Sequence, residues 1–376
     1  MIRFRAPHAL SECEVYYCEQ LIGRLVTTDE AGCAFQYSSD YLGNGQSISP
    51  FFLPLDIDIF RAPLTPFQGN FGVFDDSLPD GWGSFVLDRY LKNEGIDPYS
   101  LNIPQRLSLV GSAARGALEY RPDLSMRTDS EVEDFEGIAR QVQDLYRSAR
   151  FDPDELESIY RYSGSVGGAR PKVFVTMSEQ EWLVKFPASI DPQDVGKQEY
   201  DYSLLAAQCG IFMSDTQLFG EGHFGTKRFD RSPEGKIHTV SAAGLLHADY
   251  RIPSLDYRTL LVACQRLTRD IREVKKLFRL MTFNVCIGNR DDHAKNFSFQ
   301  LHGENWKLSP AYDLLPSNGF NGQHTTTIND SGDPRREDLL SCGSRAGLDS
   351  DEMNNVIDEV LHICQSEKMN RSDLNL

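Results

Sequence analysis

Apolar and polar residues alternate through residues 15–35, VYYCEQLIGRLVTTDEAGCAF, with turn-like breaks, and this two-residue period predicts a small antiparallel sheet. Residues 47–55 read as a proline-containing strand or loop. In FDDSLPDGWGSFVLDRYL a Pro-Asp-Gly turn precedes an amphipathic helix whose apolar face includes Phe85, Val86, Tyr90 and Leu91. Val132, Phe135, Ile138, Val142 and Leu145 recur three or four apart and predict a helix over about 131–150 with one buried face. An apolar strand at 173–176 turns at SEQE into a second strand, WLVKF, and a helix over about 197–209 leads to strands near 216–219 and 225–229. The pattern at 270–287 predicts a core helix burying Ile271, Val274, Leu277, Phe278, Met281 and Val285, which delivers the chain to Asn289. Two short alternations, 296–301 and 305–308, read as a hairpin. Beyond Asp313 the text PSNGFNGQHTTTINDSGDP is polar and turn-rich, which predicts a mobile segment near the substrate, and a last amphipathic helix over 352–364 turns Met353, Val356, Ile357, Val360 and Leu361 inward.

With 376 residues, 40% of them hydrophobic, the chain can fill two domains or one large two-lobed one. It holds no run of 18 apolar residues, and acidic residues stand near the N-terminus where a signal peptide would be apolar. The expectation is therefore a cytoplasmic protein without a membrane span. Eight scattered cysteines with no C-x-x-C pair predict reduced thiols, with neither disulfides nor zinc. The net charge of −17 argues against broad, sequence-independent DNA binding and suits a basic partner surface.

The candidate chemistry lies in NRDDHAKNFSFQLHGENWKLSPAYD, residues 289–313. Asp291 and Asn296 stand five apart, and Asp313 follows the hairpin. Kinase-like folds use this order: the Asp of a D-x-x-x-x-N loop accepts a hydroxyl proton, the Asn holds one magnesium, and a later Asp holds the metal bridging the phosphates. Hard oxygen donors suit a metal that keeps several waters and takes phosphate oxygens for the rest. The segment alone also fits an ordinary polar loop, or a dinuclear hydrolase using Asp291, Asp292 and His293, although neighbouring residues rarely point at one ion. A second informative loop, SGSVGGARPK at 163–172, precedes the two strands, and Lys185 sits inside the second of them. That is the layout in which backbone N–H groups cover phosphates and a strand lysine neutralises them. The glycines spell neither G-x-G-x-x-G nor, with Gly164 one residue before Ser165, the G-x-S-x-G of a hydrolase. VGSAARGALEYRP lacks the spacing of a Walker loop. Glu199 is placed to pair with Lys185, although a Glu early in a helix is favoured by the dipole in any case.

The run DDHAKNFSF with AYDLL downstream resembles the HipA family of serine/threonine kinases, the toxin components of bacterial toxin–antitoxin pairs, and the likeness continues in the same order over most of the chain. The phrase LPDGWG resembles the family's N-terminal coupling region, which has no catalytic role, and TKRFDR resembles its hinge between lobes. The resemblance implies a two-lobed protein-kinase-like α+β fold with a β-rich N-lobe of few helices and a mainly helical C-lobe. Residues 1–125 would form the coupling subdomain, 126–230 the rest of the N-lobe and 231–376 the C-lobe, with ATP between the lobes. It implies Asp291 as base, Asn296 and Asp313 as magnesium ligands, and Lys185 at the phosphates. Gly167, Gly168, Ala169, Arg170, Pro171 and Lys172 would cover those phosphates, and Ser165 matches the serine that becomes autophosphorylated. Lys227, Arg228 and Phe229 would meet adenine mostly through backbone groups, although Lys227 stands where the family often has an acidic residue. Asp230 would face the ribose, His293 and Lys295 would shape the catalytic loop or touch phosphate, and Tyr312 is counted among the nucleotide contacts. The implied activity is ATP- and magnesium-dependent phosphorylation of an aminoacyl-tRNA synthetase, arresting translation and growth, with a DNA-binding HipB-like antitoxin as partner and DNA reached only through it. A small-molecule kinase of the aminoglycoside-phosphotransferase type shares the Asp, Asn, Asp order, and a catalytically silent antitoxin-binding module is a further alternative, against which Lys185, Asp291 and Asp313 are all present.

Overall fold

The computed structural model describes residues 10–28, 32–126, 131–148, 152–319 and 321–369. Outside the described residues lie the start of the expected coupling subdomain (1–9), the break at 29–31 in the expected first sheet, and residues 149–150 of the expected helix. The same holds for Phe320 in the expected mobile segment and for the end of the expected C-lobe at 370–376. The chain divides into two compact units, Met1–Lys197 with Thr216–His238, and Gln198–Asp215 with Thr239–Leu376.

In the first unit the alternation at the start becomes three antiparallel strands, Glu12–Tyr17, Gln20–Thr27 and Cys33–Tyr37. Phe60–Arg61 and Leu118–Arg121 complete a five-stranded sheet on either edge. Cys13, Val15, Ile22, Leu25 and Phe35 are fully buried, as a two-residue period with one covered face requires. A second, four-stranded sheet runs in the order Lys172–Met177, Gln180–Lys185, His223–Lys227, Thr216–Phe219. Its first hairpin turns at Ser178 and Glu179, both with positive φ, the geometry that matches strand twist. Residues 47–55 form turns with one isolated bridge, Ser49 to Leu53, and no longer strand.

Three sequence expectations need correction here. The expected helix at 131–150 is Phe135–Arg147; Val132 precedes it, its N–H donating to Thr176 O at 3.0 Å. A separate helix, Pro153–Ser163, follows, opened by Asp152 as its cap and Pro153 in its first turn, and it buries Leu156, Ile159 and Tyr160. The first unit is also richer in helix than expected, because Gly81–Asn93, Phe135–Arg147 and Pro153–Ser163 supply much of its apolar core; Trp82, Val86, Leu87, Val142 and Leu156 sit in one cluster with Val173 and Val184 of the second sheet.

The second unit is built on the helices Tyr257–Thr268, Ile271–Ile287, Arg336–Arg345 and Ser350–Ser366. Asp270 caps the second of these through the Arg272 N–H. Val274, Leu277, Phe278, Met281 and Val285 are buried as expected, but Ile271 is 40% exposed, because it occupies the first helical position, beyond the core that the later turns reach. Of the inward set expected on the last helix, Met353, Ile357 and Val360 are buried, whereas Val356 and Leu361 are only half-buried. The strands Ser298–His302 and Asn305–Leu308 form the expected hairpin. Buried Glu273 fixes that hairpin to the long helix: its Oε2 accepts the Leu308 N–H at 3.0 Å while its Oε1 takes Lys276 Nζ at 2.8 Å.

All eight cysteines are free thiols, seven of them buried. No described helix is long and apolar enough to cross a membrane. Burial pulls His238 and His247 each down to about 4. A histidine whose folded pKa is depressed contributes stability that is present above its unfolded value of about 6.5 and lost as pH falls towards the folded one. Thermal melts should therefore lose stability progressively between pH 6.5 and 4, and His238→Gln should flatten that slope; an unchanged slope would contradict the assignment.

Candidate active site

In the second unit the helix Ile271–Ile287 ends at Gly288, whose φ of +70° lets the chain turn off the helix axis. The Asn289 N–H returns to Asn284 O at 2.9 Å, and extended backbone then brings out Asp291, which is exposed. Ala294–Asn296 makes one tight turn, closed by the Asn296 N–H on His293 O at 2.8 Å. Asn296 Nδ2 donates to the Asp291 backbone oxygen at 2.7 Å. The five-residue spacing thus folds the amide back onto the aspartate's own backbone; its nitrogen closes the loop and its Oδ1 is the atom left for a cation.

Asp313 follows the hairpin with φ +56°, left-handed backbone that few residues other than glycine adopt. Its carbonyl accepts Asn289 Nδ2 at 3.0 Å. Next to it, Tyr312 Oη donates to Lys295 O at 2.6 Å and shares a hydrogen bond with Ser298 Oγ at 2.6 Å, so the segment after the hairpin is tied to the 291–296 loop. Lys295 Nζ lies 4.1 Å over the Tyr250 ring, whose centroid is 6.0 Å from that of His293. Asp291, His293, Lys295, Asn296, Tyr312 and Asp313 therefore belong to one construction.

Asp292 does something that the sequence reading did not assign. Whereas Asp291 is exposed, Asp292 is fully buried. Its Oδ1 accepts the Thr325 and Thr326 N–H groups at 3.0 and 3.1 Å, and its Oδ2 meets Tyr257 Oη at 3.0 Å and His324 Nδ1 at 2.8 Å. Burial and the Asp292 charge hold the Tyr257 phenol well above its usual pKa, so the hydroxyl stays a donor. This corrects two expectations. Within the stretch after Asp313, residues 324–328 are anchored rather than loose, with His324, Thr326 and Ile328 buried and Thr325 N–H on Arg290 O at 3.0 Å. The dinuclear arrangement of Asp291, Asp292 and His293 is not formed, since Asp292 turns its carboxylate into the core; among the described residues no three His, Cys, Asp or Glu side chains are grouped to hold a metal. The donors that remain, Asn296 and Asp313, are hard oxygens, the kind that magnesium combines with water and phosphate.

In the first unit the loop after the helix Pro153–Ser163 begins at Gly164, φ +47°. Ser165 is fully buried and its hydroxyl donates to Ala113 O at 3.1 Å. The Pro-Asp-Gly-Trp-Gly run grips the same loop: the Asp80 carboxylate accepts the Gly168 N–H, the Trp82 N–H donates to Gly168 O at 2.9 Å, and Trp82 Nε1 donates to Ser163 Oγ at 3.3 Å. Gly83 is required by this docking, because a Cβ there would stand 2.2 Å from Val166 O. The sequence pointed to the helix but not to this contact, for which the glycines flanking Trp82 were the available signal. Gly168, Ala169 and Arg170 are exposed, and Arg170 forms a forked pair with Asp191 at 2.9 and 3.0 Å. Pro171 O accepts the Phe186 N–H at 2.8 Å, which starts the strand pairing that sets Lys172 directly opposite Lys185. Two ammonium-bearing side chains therefore share one face of the ladder. Lys172 is buried and Lys185 half-buried, its Nζ 5.6 Å from the Phe224 ring centre.

At the TKRFDR stretch, Lys227 and Phe229 are half-buried, while Arg228 and Asp230 are buried. Asp230 makes a forked pair with Arg228 at 2.9 and 2.7 Å, takes Arg231 at 3.1 Å and accepts the Gly116 N–H at 2.8 Å. Burial alone would raise its pKa; the charges of Arg228 and Arg231 outweigh that and hold the carboxyl well below the usual range. Arg228 also reaches Glu181 at 3.1 Å. Glu199 is buried in the helix Val195–Gln208.

The profile of the HipA-like C-terminal domain matches residues 164–367, and that of the HipA N-terminal domain matches residues 13–121. The Sinorhizobium fredii protein Y4dM, named as a supposed kinase, is 26% identical over 348 residues, covering 83% of this chain and 82% of that protein. Y4mE of the same organism, similarly named, is 28% identical over 125 residues, 30% of each chain. Among solved structures, a chain of the Shewanella oneidensis MR-1 complex of HipA, HipB and operator DNA matches with a TM-score of 0.66 and 18% identity, covering 95% of this chain and 99% of that one. At that identity the likeness concerns fold, and the fold is α+β and kinase-like. With both profiles matched in order and the C-terminal one spanning more than half of the sequence, the chain belongs to the HipA family.

Proposed function

We propose that the chain is an ATP- and magnesium-dependent kinase acting on serine or threonine in proteins. The observation that carries this reading is the closed 291–296 loop, in which Asn296 holds the backbone of an exposed Asp291 at 2.7 Å, on the same construction that fixes Asp313 in its left-handed conformation. Asp291 would accept the proton of the attacking hydroxyl. Asn296 and Asp313 would hold magnesium, which when bound offsets the charge of phosphate oxygens. Lys185, with Lys172 opposite it, would meet the phosphates, and Gly167, Gly168, Ala169, Arg170 and Pro171 would cover them through backbone N–H groups. The backbone at Lys227, Arg228 and Phe229 would meet adenine. For Asp230 the two arginine partners favour a structural role over a ribose contact.

Ser165 is the proposed site of autophosphorylation. Its burial means that the hydroxyl must leave Ala113 O before it can react, and a phosphate of roughly −1.5 to −2 charges could not return there. The reaction would then limit itself. The substrate we propose is an aminoacyl-tRNA synthetase, with arrest of translation as the outcome. The partner is a HipB-like antitoxin that supplies DNA binding, supported by the HipA, HipB and operator DNA complex of the Shewanella relative. A cytoplasmic location agrees with these roles.

Calorimetry tests the metal assignment. ATP affinity should rise with magnesium, and Asp313→Ala should remove that gain by about tenfold or more; affinity indifferent to magnesium, or to Asp313→Ala, would contradict it.

A further inference from the structure

Buried polar side chains link the backbones of the two aspartates through a directed chain of hydrogen bonds. Asn289 Nδ2 donates to Asp313 O at 3.0 Å and to Asn284 Oδ1 at 3.1 Å; Asn284 Nδ2 donates to Tyr257 Oη at 3.0 Å; Tyr257 Oη donates to Asp292 Oδ2 at 3.0 Å. Asp292 adjoins Asp291. Asn284, Asn289, Tyr257 and Asp292 are each at most 2% exposed. We infer that Tyr257, Asn284 and Asp292 are positioning residues that hold Asp291 and Asp313 in register for phosphoryl transfer, an inference that rests on the kinase reading above.

Three features support it. First, Asp313 sits in a backbone conformation that neighbours must hold, and Asn289 grips its carbonyl. Second, the Tyr257 ring fills core space that Phe would fill equally well, so what its hydroxyl adds is the link between Asn284 and Asp292. Third, a fully buried carboxylate is costly unless matched by donors, and Asp292 has four, two of them backbone N–H groups from the 324–326 segment. The carboxylate therefore locks the catalytic loop against a segment distant in sequence, and the Asn284–Tyr257 bridge carries that lock across to Asp313. A group misplaced by about 1 Å can cost on the order of a hundredfold in rate, so small losses of register are readable.

The test is Tyr257→Phe in the full chain, read in two ways. In steady-state phosphoryl transfer, kcat should fall about tenfold while KM for ATP stays within about twofold. In hydrogen exchange, amides of 291–296 and of 313–317 should both exchange faster while the Ser350–Ser366 helix keeps its protection. Adding Asn284→Ala to Tyr257→Phe should cost hardly more than the costlier single change, because one broken link disables the chain. Unchanged exchange at either segment, additive losses, or faster exchange with unaltered kcat would each overturn the inference. A parent chain inert towards ATP would sink the kinase reading alone, and exchange would then decide whether the link holds the two segments together.

Discussion

Asp291→Ala is expected to lower phosphoryl transfer at least a hundredfold, on the order of what a general base contributes, while leaving ATP affinity nearly unchanged. The side chain is exposed at the tip of a loop whose shape is fixed by other groups: Asn296 bonds the backbone oxygen of residue 291, and Asn296 N–H bonds His293 O. Removing the carboxylate leaves both of these bonds in place, because neither uses the Asp291 side chain. The contrast with Asp313→Ala, which should weaken magnesium-dependent nucleotide binding as well, separates a base from a metal ligand. Quenched-flow transfer rates beside calorimetric affinities provide the check, and transfer near the parent rate in Asp291→Ala would show that the base is elsewhere.

The largest stability effect is expected at Asp230→Ala. Arg228 has 2% of its side chain exposed and is over the Phe174 ring at 4.0 Å; without Asp230 it loses its forked carboxylate partner, and Arg231 loses a partner too. Breaking a buried pair from one side typically costs about 3–5 kcal/mol, because the remaining charge has neither water nor a full set of acceptors. Chemical denaturation should show that loss, with Asp230→Asn milder because it keeps an acceptor for the Gly116 N–H. The sign with pH follows from the depressed carboxyl: the stability it contributes is present above an unfolded value of about 3.9 and is lost as pH falls below it. A variant as stable as the parent would show that the pair is neutral overall.

Elements set by short-range periodicity were legible in the sequence. The first hairpins, the Lys172–Met177 and Gln180–Lys185 pair, the long helix before Asn289 and the hairpin before Asp313 all follow from patterns of two or about four residues. The helix Pro153–Ser163 was missed although Asp152, Pro153 and the Leu156, Ile159, Tyr160 spacing announce it, because its polar first turn reads like a loop. Ile271 was misplaced because periodicity marks a face and not how far along the helix the core extends. The site was legible as residue types at fixed spacing, but its support was not. Asp291 and Asp292 have the same chemistry in the sequence; only the folded chain sends one to solvent and the other to two N–H groups more than thirty residues away. Likewise nothing local to Ser165 says that it is buried, since the carbonyl that receives its hydroxyl, on Ala113, is distant in the chain.

The most direct test of the central claim is incubation of the purified chain and of Asp291→Ala with γ-labelled ATP and magnesium, followed by mass spectrometry of the protein. We expect the parent to convert ATP to ADP and to carry one labelled phosphate on Ser165, and Asp291→Ala to carry none. ATP left intact by the parent, or equal labelling of the two proteins, would contradict the kinase reading.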